Sequence, residues 1–269
     1  MDCLYGHQVV FIDPITYRIM QKVMVGGEPV ECAFTPDGKK LWVTLYNKHQ
    51  VLCVDIASGE VTDRIEVGTV PKVVEVSPDG KWIYVANWES GSLEVIDSQT
   101  RQVIRAFKVG RIPRGISFTH DSRWAYVAIM GDTHLLKIDV AHGHRVMGRV
   151  EVGITPRHIA ITPDDRYLYV SNNLANVISK VDLGVGKMVA RLPVGKMPRT
   201  IAMSPDGASL YVCNYGSGTL GVVDLQRFRV AATYRTRVHP IGVTVSPDGH
   251  RVWVSSYRTS TIHVFDVEP

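Results

Sequence analysis

Apolar residues occur along this chain in short runs of four to seven, each closed by turn residues. The stretch 67–109 holds four such runs, VVEVS, WIYVA, SLEVID and VIRAFKV. Their Val, Ile and Tyr content favours β-strands. They alternate little between apolar and polar residues, which indicates strands covered on both faces. We name these strands A, B, C and D in chain order, and the pattern predicts an all-β protein.

The four-strand pattern recurs with a period near 42 residues. One proline per repeat marks the register, at spacings of 42, 42, 43, 42 and 42: Pro29, Pro71, Pro113, Pro156, Pro198 and Pro240. A turn containing aspartate follows each proline, and an aromatic-valine pair follows the turn. Such a period predicts the four-stranded antiparallel blades of a β-propeller. By analogy with other propellers, strand A lies innermost and strand D outermost.

The spacing predicts a single β-propeller domain over residues 1–269. Its repeats start near residues 26, 68, 110, 153, 195 and 237. The chain begins with a C and a D strand, near Gln8–Asp13 and Arg18–Val25, and ends with A, B and C strands. Six full A–B repeats therefore follow an N-terminal half-blade in residues 1–25. Two arrangements fit this count, namely six blades or a truncated seven-bladed ring.

The repeats also carry a family resemblance. SPDGKWIYVANWESGSLEVID and SPDGASLYVCNYGSGTLGVVD resemble the YVTN-type β-propeller repeat family, known from bacterial and archaeal surface-layer and periplasmic proteins. The resemblance covers essentially the whole chain and implies a propeller at the cell surface or in the periplasm. Its relatives include binding modules, nucleic-acid-binding proteins, and lactonase-type and amine-dehydrogenase-type propellers. The motif asparagine is replaced at Leu45, Ile129 and Ser256, and the loop glycine at Arg237.

Composition adds modest constraints. A net charge of +4 and a pI near 8.8 permit anionic partners without requiring them. The sequence contains no transmembrane segment, and its first residues, MDCLYGHQVVFID, lack the pattern of a signal peptide. None of the four cysteines has metal-ligand spacing, and we predict free thiols at Cys3, Cys32, Cys53 and Cys213. No metal site is predicted, and no cofactor can be named.

Equivalent positions in the repeats can be compared within this one chain. The residue after the marker proline is basic in four consecutive repeats, at Lys72, Arg114, Arg157 and Arg199. In a propeller these positions line one mouth of the central channel, where clustered cations would attract a carboxylate, a phosphate or a polyanion. Alternatively, each long basic side chain only covers its D–A loop and pairs with a local carboxylate.

A second set of residues opens the B–C loops on the same side of each blade. The rim aromatics at this position are Tyr46, Trp88, Tyr215 and Tyr257. Aromatic side chains beside basic groups can stack on bases, sugars or planar cofactors. The alternative is that they cap the ends of the blades.

Two histidines and two glutamates complete the candidate ligand site. His158 and His239 belong to the same predicted mouth, as ligands, bases or plain surface residues. Glu31 and Glu75 are carboxylates in columns where the other repeats have mostly small residues. A carboxylate placed there needs a partner, which Lys72 or Arg114 could supply in a structural ion pair. The sharper alternative is general-base chemistry.

The sequence holds no nucleophile elbow, P-loop, dinucleotide fingerprint or zinc-hydrolase motif, and no catalytic residue is assigned. The pattern favours a non-enzymatic binding or scaffold module that recognises an anionic ligand, a polymer or a protein. Two alternatives stay open. One is a cofactor- or substrate-handling propeller in redox or lactone metabolism, and the other is nucleic-acid binding.

Overall fold

The computed structural model describes residues 2–236, 239–257, 259 and 261–267, so the repeat start expected at Arg237 lies outside the described residues. The described elements are 26 strands and one 3-10 helix, Leu4–Gly6. No helix in this part of the chain is long and apolar enough to cross a membrane.

The strands follow the predicted repeat. The N-terminal sheet consists of β1 (Asp2–Cys3), β2 (Gln8–Ile12) and β3 (Ile19–Met24). Blade 1 is β4 (Pro29–Phe34), β5 (Lys40–Leu45), β6 (Gln50–Asp55) and β7 (Val61–Glu66). Blade 2 is β8 (Pro71–Val76), β9 (Trp82–Asn87), β10 (Ser92–Asp97) and β11 (Val103–Lys108). Blade 3 is β12 (Pro113–Phe118), β13 (Trp124–Ile129), β14 (His134–Asp139) and β15 (Arg145–Glu151).

The remaining blades repeat this order. Blade 4 is β16 (Pro156–Ile161), β17 (Tyr167–Asn172), β18 (Val177–Asp182) and β19 (Lys187–Pro193). Blade 5 is β20 (Pro198–Met203), β21 (Ser209–Asn214), β22 (Thr219–Asp224) and β23 (Arg229–Arg235). Blade 6 has the described strands β24 (Pro240–Val245), β25 (Arg251–Ser256) and β26 (Thr261–Asp266).

Each sheet pairs its strands in chain order, and neighbouring strands such as β9 and β10 run antiparallel. The predicted all-β propeller of four-stranded antiparallel blades is confirmed, and of the two arrangements that the sequence left open the findings support six blades. The extra N-terminal C–D pair is present as β2 and β3. The structure adds a short strand that the sequence pattern did not indicate, because β1 pairs with β2 through Asp2–Val9 and Cys3–Gln8.

The chain forms two compact units. The N-terminal unit comprises the residues up to Val127 together with Ile138–Val146, and the C-terminal unit comprises Ala128–Lys137 and the residues from Met147 onward. Within each unit, the cores lie between consecutive sheets. Trp42 and Cys53 of blade 1 pack with Val74 and Ile83 of blade 2. Tyr169 of blade 4 packs in the same way with blade 5.

Burial follows strand position within the blade. The B strands are almost entirely buried, as in β9, whereas the D strands are largely exposed, as in β11. A B strand has a paired strand on each edge and another sheet against its faces, which explains the missing alternation in its sequence. In the N-terminal unit, the inner strands β4, β8 and β12 are neighbours, and so are β16, β20 and β24 in the C-terminal unit.

The A–B turns close through their own side chains. In blade 2 the Ser77 hydroxyl donates to Asp79 Oδ1 at 2.6 Å, and the backbone N–H of Lys81 donates to the same oxygen at 3.1 Å. The equivalent Ser/Thr–Asp bond is present in all six repeats. These bonds hold the pKa of Asp79 and its counterparts low despite some burial. The aspartates therefore serve the turn.

The turn glycines face the turn prolines of the preceding repeat. A Cβ on Gly207, where φ is +72°, would lie 2.9 Å from Pro163 Cδ. Gly80 faces Pro36 in the same way, at 3.5 Å. Glycine accepts this positive φ at least cost, although Ser122 and Asp165 adopt it in blades 3 and 4, and at Gly207 glycine also permits the close approach of proline.

The cysteines are thiols in the described part of the chain. Cys32 on β4 and Cys53 on β6 are separated by β5, and neither they nor Cys213 forms a disulfide. Burial raises the pKa of the Cys213 thiol, as expected for a small apolar core residue. The side chain of Cys3 lies outside the described residues.

Candidate ligand-binding edge

The D–A and B–C loops lie together at one edge of each blade, which we call the loop edge. In blade 2 the first residue of strand A, Pro71, pairs with the last residue of strand B, Asn87. The backbone N–H of Trp88, which opens the B–C loop, donates to the carbonyl of Val70 at 2.8 Å. The same bond recurs in four further blades, between Tyr46 and Glu28, Asn173 and Thr155, Tyr215 and Met197, and Tyr257 and His239.

The residue before the marker proline adopts a left-handed backbone in five blades. Its φ lies between +53° and +61° at Val70, Ile112, Thr155, Met197 and His239. Branched residues such as Val70 rarely adopt this region, which costs about 1 kcal/mol or more. The loop edge is therefore held in a fixed, strained conformation by the hydrogen bond that this residue's carbonyl accepts.

A β-bulge follows the loop in blades 1, 2, 4, 5 and 6. In blade 2 the A–B pairing moves from Pro71–Asn87 to Val73–Ala86, so Lys72 is the extra residue. The same shift makes Arg157 the extra residue of blade 4. In blade 5 the pairing moves from Pro198–Asn214 to Ile201–Val212, so the bulge contains Arg199 and Thr200. A bulge breaks the alternation of a strand and re-aims the side chain that it carries. The backbone thus gives three of the four predicted basic residues the same special position.

In the N-terminal unit the basic residues lie against the rim and against each other's strands. Lys72 Nζ is 3.7 Å from the centroid of the Tyr46 ring and 5.2 Å from that of Trp88. Arg114, the second residue of β12, donates from Nη1 to the carbonyl oxygen of Lys72 at 3.5 Å. The indole N–H of Trp88 is buried and has no hydrogen-bond partner among the described residues. In this unit the basic residues and the rim aromatics therefore lie in contact with one another.

The two candidate glutamates of this unit interact with each other. Burial, and to a smaller extent the Glu31 carboxylate, together raise the pKa of Glu75 to about 8. Burial lowers the pKa of Arg114, which Glu31 opposes. Glu31 is thus the counter-charge of Arg114, whereas Glu75 has a like-charged neighbour. The sequence offered Lys72 or Arg114 as the partner of Glu75, and neither is among the groups that shift its pKa.

In the C-terminal unit, Arg199 lies on an aromatic ring and Arg157 lies beside a methionine sulfur. The Arg199 guanidinium carbon is 3.5 Å from the centroid of the Tyr215 ring. That ring stacks on the His239 imidazole with centroids 4.3 Å apart and planes at 17°. The His239 Nδ1–H donates to the Tyr215 carbonyl at 3.2 Å, and Arg157 Nη1 lies 3.7 Å from the sulfur of Met130.

The other predicted residues lie at the same edge with structural contacts. The His158 backbone N–H donates to the Ser171 hydroxyl at 3.1 Å, and that hydroxyl donates to the Arg199 carbonyl at 2.6 Å. Tyr257 opens the B–C loop of blade 6, and its backbone N–H donates to the His239 carbonyl at 2.9 Å. Glu75 lies further along β8, paired with Tyr84 toward the A–B turn and away from the loop edge. The role of these residues in ligand binding stays a prediction.

Glu94 is a further carboxyl near this edge that sequence comparison had missed. It is 9% exposed, and burial raises its pKa while bonds from the Gly68 N–H and the Asn87 amide lower it. The signal was present in the C-strand column, where the neighbouring repeats have Leu52 and Leu136.

The asparagine of the repeat motif is a structural residue in the described blades that have it. The Nδ2 groups of Asn87, Asn172 and Asn214 donate to hydroxyls at the start of strand C or within it, at 2.8 to 3.2 Å. They tie the B–C hairpin together beside the loop glycine. In the described part of the chain, no group of three or more His, Cys, Asp or Glu side chains could hold a metal ion.

Solved structures similar to this chain include proteins of different kinds. The Kuenenia stuttgartiensis hydrazine synthase matches with a TM-score of 0.88 and 25% identity, over 98% of this chain and 90% of that chain. Dihydro-heme d1 dehydrogenase NirN, in complex with DHE, matches with a TM-score of 0.75 and 21% identity, over 97% of this chain and 59% of that chain. The Myceliophteria thermophila Cps50 (Swd1) β-propeller domain matches with a TM-score of 0.83 and 13% identity, over 97% and 91%. At these lower identities the likeness shows the fold alone.

No curated protein matches the sequence. A family model described as YNCE-like beta-propeller matches residues 4–254, nearly the whole chain. The resemblance to YVTN-type propellers that the repeats carry is thereby confirmed. This chain belongs to the YNCE-like β-propeller family.

Proposed function

We propose that this propeller is a non-enzymatic binding module that recognises an anionic ligand through its loop edges. One observation carries the proposal. In both units a basic residue in a β-bulge lies against a residue that opens a B–C loop, as Lys72 lies on Tyr46 and Arg199 on Tyr215. The bulge interrupts the regular strand pairing and re-aims one charged side chain. A residue that only covers a loop would not need this change of direction.

The stacked geometry suits anion recognition. A guanidinium lying flat on an aromatic ring presents its N–H donors in its own plane, away from the ring. The ring also restricts the side chain before any ligand arrives, so less rotamer freedom is lost on binding. Arg199 is held in this way by Tyr215, which is in turn stacked on His239. Such a group can bind a carboxylate, sulfate or phosphate through two parallel hydrogen bonds.

Calorimetry with sulfate at low ionic strength tests the proposal on the whole chain. Replacing Arg157 and Arg199 together by alanine is expected to weaken sulfate binding by about tenfold or more, because charge-assisted hydrogen bonds are lost. The matched control is Arg166→Ala. Arg166 is also an arginine on a tyrosine, 5.0 Å from the Tyr167 centroid, but it lies in an A–B turn and is exposed.

The outcomes separate the possible classes. Sulfate binding that is unchanged in the double variant overturns the proposal, and so does an equal loss in Arg166→Ala, which would indicate a general charge effect. A DNA oligonucleotide serves as a second probe. Affinity for it that falls steeply with salt and disappears in the double variant would identify a nucleic-acid ligand.

A further inference from the structure

Blade 4 places two large apolar side chains on the surface of its loop edge. Ile154 in the D–A loop is 57% exposed, and Leu174 in the B–C loop is 63% exposed. The backbone N–H of Leu174 donates to the Thr155 hydroxyl at 2.8 Å, and that hydroxyl donates to the Ile154 carbonyl at 2.7 Å. These two bonds hold the loops side by side, so the two exposed residues form one apolar patch, which we call the Ile154–Leu174 patch.

The patch is a departure of blade 4 from the rest of the repeat. At the position of Leu174, the other repeats of the sequence have polar residues, charged residues or glycine, namely Asn47, Glu89, Gly131, Gly216 and Arg258. At the position of Ile154, the other described blades with a described D–A loop have Gly27, Thr69, Arg111 and Lys196. Blades of this chain therefore form without an apolar side chain at either position, so the fold does not require the patch.

Two basic residues of the proposed site neighbour this patch in the C-terminal unit. Arg157 is the bulge residue that follows the D–A loop of the patch. Asn173, which opens the B–C loop of the patch, donates from Nδ2 to the Pro198 carbonyl at 3.0 Å, and Arg199 is the next residue after Pro198. An exposed apolar surface and two cationic residues thus lie at one edge of this unit.

We infer that the ligand of this edge is an amphipathic organic anion, whose charged group binds Arg157 and Arg199 and whose alkyl chain covers the Ile154–Leu174 patch. A sulfate, carboxylate or phosphate group satisfies the guanidinium donors, and an apolar tail removes the exposed isoleucine and leucine surface from water. This inference rests on the proposed function and adds the class of the ligand.

The size of the patch favours an alkyl chain over a protein partner. Covering the exposed parts of one isoleucine and one leucine buries on the order of 100 Å² of apolar surface. A stable protein interface buries about 800 Å² on each partner. A short alkyl chain is sufficient to cover the patch, whereas a protein partner would need a contact area several times larger.

Calorimetry with two alkyl sulfates tests the inference, because methyl sulfate and octyl sulfate carry the same charged group and differ only in chain length. For the wild-type chain, octyl sulfate below its micelle concentration is expected to bind at least about tenfold more tightly than methyl sulfate, since each buried methylene adds affinity. In the double variant Ile154→Thr with Leu174→Asn, this ratio is expected to fall below about twofold, because the apolar contact is removed. Both replacements are residues that other blades carry at the same positions, Thr69 and Asn47, so the fold tolerates them.

The matched control is the double variant Val189→Thr with Val230→Thr. Both valines are exposed aliphatic residues of the same unit, but they lie on the outer strands β19 and β23. This variant should keep the wild-type ratio of the two affinities. An equal fall of the ratio in the control would indicate adsorption to any apolar surface, and the inference would be overturned.

The outcomes separate this inference from the proposed function. If methyl sulfate and octyl sulfate bind the wild type equally, the inference is wrong while anion binding stands. If the wild type binds neither sulfate nor either alkyl sulfate, the proposed function fails and the inference fails with it. A capped acidic peptide with one leucine is the last probe. If it binds more tightly than octyl sulfate and loses this advantage in the Ile154→Thr, Leu174→Asn variant, the occupant is a protein segment and the assignment of an alkyl anion is overturned.

Discussion

The loop edges of both units carry a basic residue in a β-bulge, but the groups around that basic residue differ between the units. In the N-terminal unit, the Glu31 carboxylate is the counter-charge of Arg114 and also raises the pKa of Glu75. In the C-terminal unit, the column of Glu31 holds Thr200 and that of Glu75 holds Ala202, and Arg199 lies on Tyr215 instead. Both edges place a base on aromatic rings, and the N-terminal unit adds a carboxylate counter-charge that the matching column of the C-terminal unit lacks.

This difference predicts different sensitivities. Buried carboxyl groups change charge with pH, and removing the charged form from water costs on the order of several kcal/mol. Cation–π contacts contribute about 0.5–2 kcal/mol and do not titrate near neutral pH. The N-terminal unit should therefore respond to pH, while the C-terminal edge should respond to loss of an aromatic ring. Three stability measurements test this contrast.

The largest effect is expected from the pH dependence of stability at Glu75. The native pKa of about 8 lies above the ordinary value of 4.5, so the native state holds a proton that the unfolded chain releases. Stability is fully present below about pH 4.5 and is lost as pH rises toward 8. Glu75→Gln removes this loss, and at about pH 9 it should raise the free energy of unfolding by about 5 kcal/mol. Urea unfolding at about pH 5 and pH 9 measures the difference.

An equal pH response of wild type and Glu75→Gln in this experiment would break the contrast between the units. Ala202→Gly, in the matching column of the C-terminal unit, is the control, and its stability change should be the same at both pH values.

The next effect concerns the equivalent positions Glu31 and Thr200. Glu31→Gln leaves the Arg114 guanidinium without its counter-charge, which should lower the free energy of unfolding by about 2 kcal/mol. Thr200→Val removes only a hydroxyl that donates to the Ile241 carbonyl at 2.5 Å, which should cost about 1 kcal/mol. Denaturant unfolding of the two variants at neutral pH compares them. A larger loss in Thr200→Val would contradict the assignment of Glu31 as counter-charge.

The smallest effect is the coupling between each base and its ring. A double-mutant cycle of Arg199→Met and Tyr215→Leu should give a coupling of about 1 kcal/mol. The cycle of Lys72→Met and Tyr46→Leu should give about half as much, because Lys72 retains the Trp88 ring at 5.2 Å. Thermal or urea unfolding of the four single and two double variants measures both values. Zero coupling at Arg199 would show that the stack is only a packing contact.

Much of this architecture follows from the sequence, because one repeat predicts all the others. The strand classes, the turn role of residues such as Asp79 and the shared edge of Lys72 and Trp88 were accessible from the period alone. The separation of Cys32 from Cys53 by one strand was accessible too. Such features depend on backbone hydrogen bonding, which the period reflects directly.

Which charged side chains interact with each other could not be predicted in this way. Sequence columns place Glu75 near Lys72 and Arg114, but the bulge after Pro71 shifts the direction of side chains by one residue. This shift is invisible in a list of apolar and polar positions, because no glycine marks it. The stack of Tyr215 on His239 depends on side-chain rotamers and on the left-handed backbone at His239. A histidine in the sequence does not predict a left-handed backbone. The site itself stays a prediction, to be decided by the binding experiments.

The contact between turn prolines and turn glycines has a consequence for the evolution of the number of repeats. Pro36 faces Gly80 of the next repeat, and Pro163 faces Gly207. The turn Pro205-Asp206-Gly207 shows both contacts, because Gly207 faces Pro163 of the repeat before it and Pro205 faces Gly249 of the repeat after it. Duplicating or deleting one whole repeat keeps such proline–glycine contacts matched, whereas duplicating part of a repeat does not. Gene rearrangements in this family should therefore survive selection mainly in steps of one complete repeat.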